Sequence, residues 1–162
     1  MSAENQSREV WRAATADTSA KLEEHLCGPA ILQALEVAKQ SQSVPEALSS
    51  YDKAVASSHA ATFFADISRR ALVRAVASGS GIPGFGQELF AETISYYASR
   101  DLPSIVGAKG KVSNTSAAIS LKRQMADIAK AAARGYPTEI SARSWPTFVA
   151  SVLAVLKGRR RV

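Results

Sequence analysis

Few residues in this chain can do bond chemistry: two histidines and one cysteine, besides 14 carboxylates, in 162 residues. His25 and Cys27 stand beside Glu23 and Glu24, residue types that nucleophilic catalysis uses. On a helix, positions two apart are separated by about 200°. The imidazole and the thiol therefore face different ways, and a solvated helix end is expected. His59 follows Ser57-Ser58 as a lone histidine near a helix junction. Glu88 and Glu92, four residues apart, share a helix face, but no histidine completes the E-x-x-H pattern of a two-metal site. A solvated acidic face or a docking surface for basic residues is the simpler expectation. Cys27, His25 and His59 cannot furnish the four ligands of a closed Cys/His zinc centre. The set Glu23, His25, Cys27, His59, Glu88 and Glu92 holds little general-base equipment, so no enzyme, metal or cofactor is expected.

Gly79, Gly81 and Gly84 spell G-x-G-x-x-G. Dinucleotide binding needs a strand before that motif and a helix after it, so that free backbone N–H groups meet the pyrophosphate. Here a helical pattern precedes it, no acidic ribose ligand follows in a βαβ unit, and the Lys-Ser/Thr ending of a phosphate-binding P-loop is missing. A connector between helices is the expected role. Asn114-Thr115-Ser116 spells a glycosylation acceptor, which carries no meaning without secretion.

The cations are distributed more tellingly. Residues 1–99 carry 8 Lys/Arg and 11 Asp/Glu, whereas residues 100–162 carry 12 Lys/Arg and only Asp101, Asp127 and Glu139, a net of +9 within an overall +6. Clustered cations displace the counterions condensed on a polyanion, so the asymmetry points to nucleic acid, with an acidic protein surface as the alternative. Arg123, Lys130 and Arg134 recur at i, i+7, i+11 with Lys122 beside them, on the face away from Leu121, Met125 and Ile128. Lys109 and Lys111 precede this stripe, and the tail Lys157-Gly158-Arg159-Arg160-Arg161 extends it. A helix-turn-helix from Leu102 to Gln124 is disfavoured, because Pro103, Gly107 and Gly110 imply a connection longer than the usual turn. Tyr136, Trp145 and Phe148 are the aromatics near the basic part, and the last two are expected in the core, so no stacking platform for single strands is indicated.

The elements that must hold these residues read as helices throughout. Thirty alanines and few β-branched runs favour an all-α chain. Trp11, Thr18, Leu22 and Leu26 line a first amphipathic helix ended by Gly28-Pro29, and Ile31, Leu35 and Ala38 continue in a second. Ser43-Val44-Pro45-Glu46 fits a capping box ahead of Leu48, Tyr51 and Val55. Phe63, Phe64, Ile67, Ala71 and Leu72 follow, with Arg69, Arg70 and Arg74 on a different side. Gly79 to Gly86 is a flexible connector and hinge candidate, after which Phe90, Ile94 and Tyr97 mark another helix. A second break is expected from Asp101 to Asn114. Asn114 or Thr115 then caps a helix with Leu121, Met125, Ile128 and Ala132 inward, ended by Gly135 and Pro137. Ser144 caps a last helix whose apolar residues cover nearly every face and should fill the centre of the core.

These features predict a single domain over 1–162: a compact all-α bundle of about six or seven helices with a Gly-rich connector, a buried C-terminal helix and a basic tail at 157–162. The longest apolar run, Phe148 to Leu156, is about half the ~20 residues that cross a bilayer, and the polar start lacks the features of an export leader, so a cytoplasmic protein without membrane contact is expected. The expected function is that of a non-catalytic subunit of a nucleoprotein assembly. It would bind DNA or RNA phosphates non-specifically through Lys109, Lys111, Lys122, Arg123, Lys130, Arg134, Arg159, Arg160 and Arg161. The alternative is a protein interaction module, or a homo-oligomer, in which acidic and basic parts of neighbouring molecules meet.

Overall fold

A computed structural model describes residues 3–16, 22–58, 63–105 and 115–158. Among them are eight helices and no strand: α1 (Ala3–Ala16), α2 (Leu22–Leu26), α3 (Pro29–Gln40), α4 (Val44–Ser58), α5 (Phe63–Ser78), α6 (Gly81–Ile105), α7 (Thr115–Arg134) and α8 (Trp145–Leu156). The chain is an all-α bundle, with seven helices of 12 to 25 residues and the five-residue α2. The first expected helix is described as two, α1 and α2; Thr18 lies outside the described residues, as does His59. No helix of the described residues is long and apolar enough to cross a membrane.

Local signals explain most helix ends. Ser43 Oγ accepts the Glu46 N–H at 3.3 Å, the capping bond its spacing predicts. Pro29 and Pro146 sit in the first turns of α3 and α8, where a missing N–H costs nothing. Ser144 occupies the N-cap position of α8 but does not cap it. Its Oγ accepts the Ser141 N–H at 2.9 Å, closing the preceding turn instead.

Most of the glycine-rich stretch is helix rather than flexible loop, because only two residues separate α5 from α6. Gly79 takes the left-handed conformation (φ 66°), its N–H bonds to the Val76 carbonyl at 3.1 Å, and the Ser80 N–H reaches the Ala75 carbonyl at 3.0 Å. This is the Schellman ending of a helix, which glycine adopts without strain. Ile82 to Gly86 then form the first turns of α6. The break expected from Asp101 is also shorter at its front: Pro103 removes a single backbone donor from a helix fixed by its neighbours upstream, and α6 continues to Ile105.

α6 is the axis of the bundle, packed against α1, α3, α5 and α7. Phe85, Leu89, Phe90, Ile94, Tyr97 and Ala98 are buried along it. α8 buries Trp145, Phe148, Val149, Val152, Leu153 and Leu156, but Ala150 is exposed and Val155 half-buried, so it covers the core from one side rather than filling its centre. On α7 the buried line is Ala118, Met125, Ala129 and Ala133, with Leu121, Ile128 and Ala132 half-buried. The inward face is turned from the expected one because alanines let α6 and α7 approach closely, leaving the larger residues at the α1 and α8 flank.

Phe148 anchors an aromatic cluster, with ring centroids 5.0 Å from Trp145, 5.2 Å from Tyr136 and 5.8 Å from Phe90. Gly86 makes room for it: a Cβ there would lie 2.9 Å from Phe148 Cζ. Gly86→Ala should therefore destabilise the fold by about 1 kcal/mol net in urea melts, since overpacking costs ~1–3 kcal/mol against ~1 kcal/mol of helix propensity gained.

α4 and α5 are joined by a buried hydroxyl pair. Tyr51 Oη donates to the Ala65 carbonyl at 3.0 Å and shares a hydrogen bond with Ser68 Oγ. Burial is the main cause pushing the Tyr51 phenol above its ordinary value, with Asp52 and Asp66 adding to it against the lowering effect of Ser68. The folded state thus holds this proton more tightly than the unfolded chain does. Its contribution is complete below the unfolded tyrosine value of about 10 and is lost as pH rises from there toward the folded value. Urea midpoints should fall above about pH 10, and Tyr51→Phe should flatten that fall.

Candidate functional site

Three helices at helical period build one cleft. Arg70 and Arg74 stand one turn apart on α5, and Lys122, Ala126 and Lys130 mark three successive turns of α7. Ala91, Glu92, Ser95, Tyr96 and Ser99 of α6 form the floor between them. The cleft is open to solvent and has a volume of about 470 Å³. The two-residue link makes α5 and α6 antiparallel neighbours, which carries the arginines of one alongside the carboxylates of the other.

One end of the cleft is internally neutralised. Lys130 Nζ lies 3.3 Å from Glu88 Oε1, Arg74 Nη2 lies 3.3 Å from Glu92 Oε1, and Arg74 Nη1 approaches Glu88 Oε2 at 3.8 Å. The carboxylates are the more buried partners, with side chains 19% (Glu88) and 11% (Glu92) exposed, against 29% for Lys130 and 59% for Arg74. Partial burial strengthens these pairs beyond the small worth of surface ion pairs. Glu88 and Glu92 do form a docking surface for basic residues, and the residues they dock belong to the same chain.

The other end is not neutralised. Arg70, one turn before Arg74, and Lys122, two turns before Lys130, have no acidic partner among the described residues. The adjacent Arg69 is committed elsewhere, to Asp52, with Nε–Oδ1 at 3.0 Å and Nη2–Oδ2 at 3.2 Å. Arg70 is exposed, Lys122 half-buried, and Tyr96 41% exposed.

Of the sequence-predicted cations, Lys122 and Lys130 line this cleft, and Arg123 and Arg134 are exposed on the ridge of α7 just outside it. The stripe is split by Lys130, which Glu88 draws inward. Lys109, Lys111, Arg159, Arg160 and Arg161 lie outside the described residues. The contributions of Arg70, Arg74 and Tyr96 were not expected. Their sequence signal is a pair of i, i+4 ladders of opposite charge, Arg70/Arg74 and Glu88/Glu92, on either side of a short connector.

The described members of the set Glu23, His25, Cys27, Glu88 and Glu92 fall in two places, the first three at α2 and the last two at the cleft. His25 is exposed and its ring stacks on Phe64 at 4.8 Å. Burial, reinforced by Glu23, raises the Cys27 thiol above its ordinary value, the opposite of an activated nucleophile. Cys27 should accordingly react with iodoacetamide at about pH 8 more slowly than free cysteine, read by mass spectrometry. Among the described residues no group of three His, Cys, Asp or Glu side chains is placed to hold a metal ion.

A smaller groove of about 290 Å³ lies across α7, lined by Glu4, Ser7 and Arg8 of α1, Ile128, Ala131 and Ala132 of α7, and Val155 and Leu156 of α8. Its charged rim is paired within α1, with Arg8 Nη2 2.7 Å from Glu4 Oε1. The unneutralised end of the larger cleft, with Arg123 exposed beside Lys122, is therefore the candidate site. No protein-family model, curated protein or solved structure matches the chain, so its function has to be argued from these side chains.

Proposed function

We propose that the protein is a non-catalytic helical subunit of a nucleoprotein assembly that binds the phosphate backbone of DNA or RNA without sequence readout. The observation that carries this is a set of cations without an acidic partner among the described residues: Arg70 and Lys122 in the cleft, and Arg123 and Arg134 exposed on α7 on either side of Asp127 and the paired Lys130. Arg123 and Arg134 are eleven residues apart, about 16 Å along the helix. That span covers several successive phosphates, and a rigid helix presents both cations without ordering a loop. Such contacts position a protein on nucleic acid and carry no base information.

The test is fluorescence anisotropy with labelled single- and double-stranded DNA and RNA across a salt series. Four cations engaged on a duplex give a log–log slope of about −3.6. Sequence-independent binding with a slope near that value supports the proposal, and absence of binding at low salt overturns it.

A further inference from the structure

The cleft contains more chemistry than a backbone contact needs. Among the described residues its four cations are matched by two carboxylates, and the pairing is one-sided: Glu88 and Glu92 take Arg74 and Lys130, leaving Arg70 and Lys122. These two come from opposite walls, α5 and α7. A phosphate passing along the outside of α7 meets Lys122 alone, whereas a group seated in the cleft lies between the walls that carry the two. The unmatched charge of +2 suits a phosphomonoester, which carries about −1.5 to −2 at neutral pH. An internal phosphodiester, with a single negative charge, would leave half of it unmatched.

We propose that the unneutralised end of this cleft is a receptor for a terminal phosphomonoester, held between Arg70 and Lys122. The Ser95 and Ser99 hydroxyls lie on the cleft floor as potential donors to the phosphate oxygens, since a hydroxyl donates as readily as it accepts. The volume of about 470 Å³ falls within the ~300–1,000 Å³ of ligand sites and exceeds what a bare phosphate fills. A sugar and base can follow the phosphate in, alongside Tyr96, whose ring packs edge-on against Tyr97 at 5.2 Å. Glu88 and Glu92 fix the orientation: they repel an anion from the neutralised end and confine it to the Arg70 end. The same chemistry is offered by the phosphorylated end of a nucleic-acid strand and by a free mononucleotide. Only the strand source rests on the function proposed above.

The experiment compares internally labelled oligonucleotides of about ten nucleotides, ending in 5′-phosphate, 3′-phosphate or hydroxyl only, by anisotropy at fixed ionic strength. Adenosine 5′-monophosphate is titrated separately with ³¹P NMR detection. A phosphorylated end should bind about fivefold or more tighter than the hydroxyl-ended strand, the worth of an added charge-assisted bond. Arg70→Gln should bring phosphorylated and hydroxyl-ended strands to the same affinity, so that the ratio of the two, which a general loss of backbone affinity does not change, reports the site. Lys122→Gln serves as a second variant, and the thermal midpoints of both confirm folding. A nucleotide ³¹P shift that moves with protein and is lost in Arg70→Gln supports the site with the mononucleotide as a sufficient ligand. End preference without that shift assigns the site to strand ends. Equal affinity for all strands with an unmoved ³¹P shift overturns the inference and leaves the backbone-binding function standing. A nucleotide response without strand binding does the reverse, and no response to any ligand overturns both.

Discussion

Trp145→Ala is expected to remove about 3–5 kcal/mol of folding free energy, a large share of the ~5–15 kcal/mol that holds a domain of this size. Trp145 is fully buried at the start of α8, and its ring lies 5.0 Å from Phe148 and 5.9 Å from Phe85. Its indole Nε1–H donates to the Leu26 carbonyl at 2.8 Å, so one side chain fastens the end of α2 to the beginning of α8. Alanine removes the ring and leaves that carbonyl without its donor, and the two penalties add. Trp145→Phe separates them, because it retains most of the packing and forfeits the hydrogen bond; it should cost about 1–3 kcal/mol. Urea denaturation followed by circular dichroism measures both variants. A Trp145→Ala midpoint within error of the parent would mean that α8 is not anchored there.

The largest effect on binding is expected from reversing charge along α7. The triple variant Lys122→Glu, Arg123→Glu, Arg134→Glu should lower affinity for duplex DNA by about a hundredfold or more at moderate salt and flatten the salt slope by about 3. The choice of residues follows from the ion pairs. The sequence stripe would nominate Lys130 alongside Arg123 and Arg134, but Lys130 lies 3.3 Å from Glu88, and a glutamate there would set two carboxylates against each other in a half-buried place. Its loss of binding would be confounded with loss of structure. Arg123 and Arg134 are exposed and Lys122 is half-buried at the cleft edge, so their reversal should leave the thermal midpoint close to the parent's. Unchanged affinity in the triple variant would remove α7 from the interface.

Helix positions were legible at several points where the sequence carries its own punctuation, though not at Pro103, through which α6 continues. Ser43 with Glu46, Pro29, and Gly135 after Arg134 mark boundaries through a local backbone requirement, and the chain obeys them. The glycine-rich stretch misleads for a reason that is also local. Gly79 ends α5 through its left-handed conformation, while Gly86 is a glycine because Phe148 occupies the place of its side chain. Gly86 answers to a residue 62 positions away, and no window of sequence around it contains that information. The turned face of α7 has the same origin, since helical spacing gives the width of an apolar stripe and the neighbouring helices decide its centre.

The candidate site divides along similar lines. Arg123 and Arg134 are found by spacing alone, because an exposed stripe is a property of one helix. The cleft is a property of three. Its two halves, the arginines of α5 and the carboxylates of α6, are separately visible, but their opposition follows only once Gly79 and Ser80 are seen to make the whole turn. The division of the cations into paired and spare is more distant still, because it depends on which lysine of α7 meets Glu88.

The placement of α1 has a consequence for how the protein is made. Trp11, fully buried, packs its ring 5.9 Å from that of Phe90, and Arg12 Nε donates to the Lys157 carbonyl at 2.9 Å. As the chain leaves the ribosome, α1 emerges well before α6, α7 and α8, the helices that cover its apolar side. Trp11 and Val10 must therefore wait until those three helices have been made. Closing that long loop is a late step in assembly and exposes a sticky surface for the cell to guard.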